Sequence, residues 1–444
     1  MRLFPLCGFL ALALSGLLLS AQEPGPAGGA PPAGSPPAVA DAPEGGTASP
    51  GGTAFDPAAA TRAYLDRMTP EKKARSDAYF EGGYWLQLWG FLYGLAVAWL
   101  LLGSGLSRRF RDWALRRSRL LPVAQWLYAA GYVLLVAVLT FPLNVYQGFF
   151  REHQYDLATQ TFPQWMRDQF VGLAVSLVLF PLLLVALYAV FRKAPRTWWL
   201  WGGAISVLFL VFVILIAPVY IDPLFNKYKP LEDARVKDEI LSLARASGIE
   251  TDDVWEFDAS RQTTRVSANV SGFMGTMRVR LNDNLLNRCT LPEIKAVMGH
   301  EIGHYALNHV YELILDFGLA YVLGFAFLSW SFERARRRWG AGWGVTDITD
   351  IAGLPLLVAV FSVFFFILTP VQNNMIRVNE AEADRYGLQA AREPDGFAEI
   401  ALKLGEYRKL EPGPFEEWFF YDHPSGRSRI KMAMEWKAEA LRHP

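Results

Sequence analysis

The sequence is poor in cysteine and has no net charge, and each shortage excludes a class of protein. Only two of the 444 residues are cysteines, and Cys7 lies in an N-terminal apolar stretch, which leaves Cys289 alone. One cysteine can form neither an internal disulfide framework nor a thiolate metal site, so any metal must be held by nitrogen and oxygen. The 43 basic and 43 acidic residues cancel, which gives no basis for binding nucleic acid.

Two N-terminal segments are predicted to lie outside the folded protein. Residues 1–21 combine Arg2 with a run of about 18 apolar residues, which is typical of a signal peptide or, if it is not cleaved, of a signal anchor. Residues 22–60 are rich in proline, alanine and glycine and hold almost no large apolar residue. Because such a segment cannot bury enough surface to fold, we predict a disordered tether there.

Six apolar blocks follow, and they predict a mostly α-helical, polytopic membrane protein. Each block approaches the ~20 residues that a helix needs to cross a ~30 Å hydrocarbon core, and tryptophan and tyrosine crowd the block ends. A soluble helical protein could bury one or two such blocks, but not six. The first four blocks give a four-helix membrane region within residues 61–218, and the last two lie within residues 310–370. The blocks are Trp85–Gly103, Leu121–Leu143, Phe170–Val190, Trp198–Pro218, Val310–Trp330 and Ile351–Pro370.

Arginine-rich loops predict the orientation in the membrane. The sequences "SRRFRDWALRRSR", "FRKAPR" and "ERARRR" follow the first, third and fifth blocks, so all three lie on one side. The positive-inside tendency assigns that side to the cytoplasm. Residues 219–309 and 371–444 then lie on the opposite side together with the tether. In the inner membrane of a Gram-negative bacterium, that side is the periplasm.

A short segment before the fifth block carries the candidate chemistry. "TLPEIKAVMGHEIGHYALNHV" begins with Thr290 as an N-cap and is predicted to run as one helix into the fifth block. On a helix, His300 and His304 lie four residues apart on one face, so both rings can reach one metal ion, with Glu301 beside it. This H-E-x-x-H spacing predicts two zinc ligands and a carboxylate that can act as a general base toward water.

A catalytic zinc site needs a third protein ligand, and "VNEAEADRYG" after the sixth block supplies a candidate. Glu380 and Asp384 are four residues apart on a predicted helix and therefore share a face. Glu380 can bind the metal, and Asp384 can accept a hydrogen bond from the second nitrogen of a ligand histidine. The alternative is that this segment is only an acidic helix surface. Two imidazoles and a carboxylate could also hold cobalt or manganese, but the motif favours one Zn2+ per chain.

These motifs resemble those of the type I CAAX prenyl proteases, which are integral-membrane zinc metalloproteases of the gluzincin type. The resemblance extends from about Tyr146 to Arg429 and includes "EHQYDLATQTF", "IDPLFNKYKPLED" and "DHPSGRSR". It implies a helical barrel around a chamber, joined to a small α+β metalloprotease domain formed by residues 219–309 and 371–444. It also implies that His423 and Arg429 contact the substrate and stabilise the oxyanion.

The strand that binds the substrate in this family has an Asn-Ala pair. The aligned positions here are Ser267 and Ala268, with Asn269 next to them, in the segment "TTRVSANVSG". We predict this segment as an extended sheet edge between two short strands, "VWEFDA" and "TMRVRLN". A substrate backbone could add to such an edge by strand pairing.

Three further polar residues lie near the fifth block. On a continuous helix, His309 would lie on the face opposite His300, which favours a hydrogen-bonded structural histidine over a ligand. Glu312 and Asp316 enter the block itself, where charges usually face a bundle interior or a water-filled cavity. They either line the chamber that the resemblance implies or pair with an arginine of another helix.

The sequence as a whole predicts a zinc-dependent membrane metalloendopeptidase. Its predicted partners are membrane lipid and membrane-proximal peptide or protein substrates, including lipidated, CAAX-like ones. One alternative is a membrane quality-control protease that degrades misfolded proteins. Another is a catalytically silent membrane scaffold, although a silent protein would have no need to keep H-E-x-x-H together with Glu380, His423 and Arg429.

Overall fold

The computed structural model describes residues 55–249, 251–271 and 278–443. The predicted signal segment 1–21 and most of the tether 22–60 therefore lie outside the described residues. Helix α1 (Pro57–Leu65) starts within the last part of the predicted tether. The Asp56 side chain caps it by accepting a hydrogen bond from the backbone N–H of Ala58 at 2.9 Å, so structured chain begins a few residues earlier than composition predicts.

Six helices in the described residues are long and apolar enough to cross a membrane, which confirms the predicted polytopic architecture. Four of them, α2, α4, α5 and α6, come before residue 225, and the short basic helix α3 connects the first two. The bounds are α2 Pro70–Gly103, α3 Leu106–Arg117, α4 Leu121–Val145, α5 Phe162–Lys193 and α6 Trp198–Ile216. Helices α4 and α6 each continue through a π-helical turn, at Tyr146–Phe150 and Ala217–Ile221.

A small α+β unit follows the fourth span. Its four strands are ordered β1-β2-β4-β3, with β2 parallel to β4 and the other two pairs antiparallel. Strand β3 lies at one edge of the sheet, where the sequence predicts an edge segment. Two short elements, β1 and α8, were not predicted because three to six residues carry too little periodicity. The bounds are β1 Tyr228–Pro230, α7 Ala234–Ala246, β2 Val254–Phe257, β3 Ala268–Ser271, β4 Arg278–Asn282, α8 Asp283–Arg288 and α9 Leu291–Ala306.

The prediction of a single helix from Thr290 into the fifth block is wrong. The start of α9 is as expected, because Thr290 and Glu293 form a capping box. However, α9 ends at Ala306, and a separate helix, α10 (His309–Trp343), begins after Asn308. Asn308 has φ 62° and ψ 28°, a left-handed conformation that interrupts the helical hydrogen bonds and that asparagine adopts more readily than most residues.

The sixth span is the 38-residue helix α11 (Leu354–Ala391), and its second half packs against α9. The two backbones nearly touch where they cross. A Cβ atom at Gly387 would lie 2.7 Å from the backbone nitrogen of His300, and one at Gly299 would lie 2.9 Å from the Gly387 carbonyl oxygen. Because only glycine permits this approach, the crossing can bring Glu380 of α11 to the histidines of α9.

Three more helices complete the soluble part, α12 (Pro394–Leu404), α13 (Pro414–Phe420) and α14 (Gly426–Arg442). Helix α1 packs on α12 and α14. The Tyr64 hydroxyl donates to Asp395 at 2.9 Å, and Leu65 shares a buried core with Ile430. The N-terminal end of α2, the α+β unit and the C-terminal helices therefore lie on one side of the membrane, as the number of spans requires.

Candidate metal centre

The three predicted metal ligands converge where α9 and α11 cross. The Nε2 atoms of His300 and His304 are 3.1 Å apart, and carboxylate oxygens of Glu380 lie 3.2 and 3.3 Å from them. A tetrahedral zinc ion with bonds of about 2.0–2.1 Å places its ligand atoms about 3.3–3.4 Å apart. The three side chains therefore have the spacing of one triangular face of a zinc coordination tetrahedron.

The electrostatics of this cluster also suit a cation. Asp384 Oδ1 lies 2.8 Å from Nδ1 of His300, and since a carboxylate accepts, we assign a proton to Nδ1. Burial lowers the pKa of His300, but its contacts with Asp384 and Glu380 outweigh burial and raise that pKa well above its usual value. Glu380 is 2% exposed, and within the described residues its Oε2 makes no hydrogen bond. This negative potential attracts a metal cation, which would replace the second proton of the imidazole.

Glu301 lies beside the cluster, in a cleft that also reaches the edge strand. It is 7% exposed and shares the cleft with His300. Apolar side chains of α12 and α9 form one wall, and the start of β3 forms another. The lining residues are Val266, Ser267, Ala268, Ala296, Val297, His300, Glu301, Asp384, Phe397, Ile400, Ala401, Leu404 and Arg429. A group bound in this cleft would lie next to Glu301.

The predicted substrate strand is only partly in this cleft. Ser267 and Ala268 line it, whereas Asn269 does not. Ala268 lies opposite Leu281 on β4, and within the described residues the other edge of β3 has no strand partner. The backbone of β3 is thus the part of this segment that is open to a further strand.

His423 and Arg429, at the end of the chain, lie on the far side of Glu380. His423 Nε2 is 3.3 Å from Glu380 Oε2, and His423 Nδ1 is 2.8 Å from Asp422. Arg429 donates from Nε to Asp384 Oδ2 at 2.9 Å, and its Nη2 is 3.5 Å from Glu380. Both residues are at most 5% exposed. The structure thus brings together residues more than 120 positions apart in the sequence.

His309 is the residue near the site whose position could not be predicted. The break at Asn308 turns it toward His304, so that the two Nδ1 atoms are 2.9 Å apart. Its Nε2 lies 3.4 Å from Glu382, and the side chain is 1% exposed. The only signal in the sequence was Asn308 itself, since asparagine commonly adopts left-handed conformations at helix ends.

Glu312 and Asp316 lie one and two turns into α10. Glu312 is exposed and Asp316 is half-buried. Neither forms an ion pair with another described residue, so the predicted alternative of pairing with an arginine is not found in that part of the chain. The other alternative, a water-filled cavity lined by these acids, stays a prediction.

A protein with six membrane spans and a largely buried His-His-Glu cluster beside a glutamate has the features of a membrane metalloprotease. The profile of peptidase family M48 matches residues 230–437, and that of the CAAX prenyl protease N-terminal region, described as five membrane helices, matches residues 58–227. The chain belongs to peptidase family M48. The resemblance found in the sequence is thereby confirmed.

Relatives from distant organisms cover most of the chain. The uncharacterized metalloprotease YhfN of Bacillus subtilis is 30% identical over 376 residues, which are 82% of this chain and 86% of YhfN. CAAX prenyl protease 1 of Saccharomyces cerevisiae is 28% identical over 71% of this chain and 73% of its own. The crystal structure of S. mikatae Ste24p has the same fold, with a TM-score of 0.70 at 20% identity over 85% of this chain and 94% of that one.

Proposed function

We propose that this protein is a zinc-dependent membrane endopeptidase that cleaves membrane-proximal or lipidated protein substrates. The observation that carries the proposal is the convergence of His300, His304 and Glu380 on one point beside Glu301. The third ligand comes from α11, which is itself a membrane span. The catalytic unit would consist of residues 219–309 and 371–444.

The side chains around the proposed zinc ion would have different roles. His300, His304 and Glu380 would hold the ion, and Asp384 would keep the proton of His300 on Nδ1 so that Nε2 faces the metal. A bound zinc ion supplies a Lewis acid that lowers the pKa of water toward neutrality. Glu301 takes a proton from the attacking water and delivers it to the leaving amine, so that the C–N bond breaks and one water molecule is consumed.

His423 and Arg429 would act on the scissile carbonyl. Negative charge develops on its oxygen during attack, and a nearby imidazole or guanidinium N–H stabilises that charge. Arg429 lines the cleft and is oriented by Asp384, which supports this role. The backbone at Ser267 and Ala268 would pair with an extended substrate, which places the scissile bond near Glu301.

Location and relatives support the proposed substrate class. The cleft lies where the soluble unit joins the membrane spans, and a relative is named CAAX prenyl protease 1. A peptide held near the lipid by a prenyl group or by a membrane segment could reach this cleft. Degradation of misfolded membrane proteins is the second candidate, because an open strand edge recognises any extended backbone.

We propose that the protein resides in a bacterial inner membrane with the cleft on the periplasmic side. The arginine-rich loops support this orientation, because they all lie on the side opposite the cleft. The N-terminal segment 1–21 supports it as well, since a signal peptide or anchor directs the following chain outward.

The test is cleavage by full-length protein in lipid, with Glu301→Gln beside Glu435→Gln. Glu435 is an exposed glutamate of α14, so its substitution removes an equal charge away from the cleft. The substrates are a farnesylated CAAX peptide, the same peptide without lipid and an unfolded membrane protein. We expect Glu301→Gln to slow cleavage by about 10²- to 10⁴-fold while the zinc content stays at that of the wild type.

The outcomes separate the candidates. Preference for the farnesylated peptide supports CAAX-like processing, and preference for the unfolded protein supports quality control. Cleavage that Glu301→Gln leaves unchanged contradicts the assignment of Glu301 as the general base. A wild-type protein that binds zinc but cleaves none of the three supports the scaffold interpretation.

A further inference from the structure

Helix α13 exposes large aromatic side chains although it is not one of the six spans. Phe415 is 70% exposed and Trp418 is 49% exposed. They are three residues apart on one face, with ring centroids 5.9 Å apart. Among the described residues outside the spans, Tyr305 is the only other exposed phenylalanine, tyrosine or tryptophan. A soluble surface seldom leaves such a pair open to water.

The charged groups of α13 point into the protein. Glu416 accepts hydrogen bonds from the Tyr84 hydroxyl at 2.9 Å and from Lys409 at 2.9 Å. Glu417 accepts from the backbone N–H of Ser425 at 2.9 Å. Because both carboxylates are held on the inner side, the Phe415–Trp418 face carries no charge.

Contacts with two spans fix the height of α13 relative to the membrane. On α2, the Tyr84 ring stacks on Phe420 with centroids 3.8 Å apart. On α11, Asn373 donates to the carbonyl of Phe419 at 2.9 Å, and Asn374 donates to that of Trp418 at 2.8 Å. Tyr84 directly precedes the first apolar block, and Asn373 follows shortly after the last one. Helix α13 therefore lies at the level where the hydrocarbon region begins.

The spans that hold α13 also expose apolar side chains within two turns of these contacts. Trp85 is 63% and Trp89 57% exposed on α2, and Ile367 is 68% and Val371 50% exposed on α11. In a membrane protein such side chains face lipid. The Phe415–Trp418 face thus lies at the same height as the lipid-facing side chains of these two spans.

We propose that α13 is an interfacial membrane-binding helix whose Phe415 and Trp418 insert at the boundary between lipid headgroups and acyl chains. Aromatic rings favour this region, and an uncharged face requires no particular headgroup charge. The helix ends three residues before His423, which contacts Glu380. If the proposed function holds, α13 also fixes the distance between the bilayer surface and the cleft.

The test uses the full-length protein in phosphatidylcholine vesicles, with Cys7 and Cys289 replaced by serine. A single cysteine at Phe415→Cys carries an environment-sensitive NBD dye, and Leu441→Cys provides the control. Leu441 is also apolar and exposed, at 60%, but it lies at the far end of α14. We expect blue-shifted emission at position 415 and quenching by lipids with a doxyl group near the headgroup, with neither effect at position 441.

Two results would overturn the lipid assignment. Emission at position 415 that is neither blue-shifted nor quenched by doxyl lipid, as expected for position 441, means that the Phe415–Trp418 face lies in water. Protection from aqueous iodide at position 415 without quenching by doxyl lipid means that another protein surface covers the face.

A second measurement addresses the link to the cleft and depends on the proposed function. The double variant Phe415→Ser/Trp418→Ser should cleave a vesicle-anchored peptide about five- to tenfold more slowly, because the cleft would no longer be held at a fixed distance from the bilayer that anchors the peptide. Cleavage of the same peptide free in solution should not change. If wild type cleaves neither peptide, the proposed function fails while the quenching result still decides the position of α13.

Discussion

At the scale of single residues, His309 is placed to orient a histidine of the proposed metal centre without being a ligand itself. In one arrangement, Nδ1–H of His304 donates to Nδ1 of His309, and Nε2–H of His309 faces Glu382. The Nε2 of His304 then keeps its lone pair for the metal. His309 is therefore a candidate positioning residue, in the same way that Asp384 is for His300.

Replacement of His309 by alanine should weaken zinc binding by about 10- to 100-fold, the usual effect of removing a partner of a ligand histidine. His309→Gln should restore part of the affinity, since a glutamine carbonyl can accept from Nδ1–H. Zinc affinity is measured by competition with a chromophoric chelator. His443→Ala, which removes an exposed histidine far from the site, is the control. Wild-type affinity in His309→Ala would show that the contact with His304 does not hold the ring.

Helical spacing predicted that His300 and His304 share a face with Glu301 beside them, because an interval of four residues fixes the relative direction of side chains on a helix. It also put Glu380 and Asp384 on one face, but only the structure shows that Glu380 lies next to the two histidines. That argument fails once the helix breaks. His309 was therefore expected on the face opposite His300, and its contact with His304 appears only in three dimensions. The roles of His423 and Arg429 came from the family resemblance, since nothing local in "DHPSGRSR" indicates a neighbour at Glu380.

At the scale of elements, the crossing of α9 and α11 sets the geometry of the site. Glycine at positions 299 and 387 lets one backbone lie directly on the other. Each helix contributes ligands, so a change in their separation changes the distance between the histidines and Glu380. Such a crossing could not be read from the sequence, because it depends on which faces of two distant helices meet.

Gly387→Ala should push the helices apart, because its Cβ would lie 2.7 Å from the backbone nitrogen of His300, an atom that cannot rotate away. We expect a loss of about 1–3 kcal/mol in the free energy of unfolding, as for other overpacked contacts, together with weaker zinc binding. Thermal unfolding with and without zinc provides the measurement.

Gly83→Ala is the matched control for this crossing. It lies within α2, and no atom would come within 4 Å of the added Cβ. Alanine should be neutral or stabilising there, since it favours a helix over glycine. Equal melting temperatures and equal zinc affinities for Gly387→Ala and wild type would show that the crossing has room for a methyl group.

At the scale of the whole molecule, the number and order of the spans were predictable because a run of apolar residues long enough to cross a bilayer is a strong signal. The packing of those spans was not, since lipid-facing and protein-facing apolar side chains look alike in a sequence. The α+β unit was partly predictable. Its strands follow from periodicity, but their order in the sheet is known only from the structure.

The proposed orientation predicts which surface is accessible from outside a Gram-negative cell. Ser242→Cys lies on α7, on the side of the cleft, and Thr197→Cys lies on the side of the arginine-rich loops, and both positions are exposed. In cells with a permeabilised outer membrane and in a Cys7→Ser/Cys289→Ser background, a membrane-impermeant thiol reagent should label position 242. It should label position 197 only after the inner membrane is opened. The reverse pattern would place the cleft in the cytoplasm.

The packing of α1 against α14 has a consequence for biosynthesis. Leu65 of α1 belongs to the same core as Ile430 of α14, yet the chain between them takes roughly 20–75 s to translate at about 5–20 residues per second. All six spans are synthesised in that interval. His423 and Arg429 are synthesised after all six spans, so the proposed site is incomplete while the membrane helices insert. If the proposed function holds, the protein gains activity only after its own spans have been made.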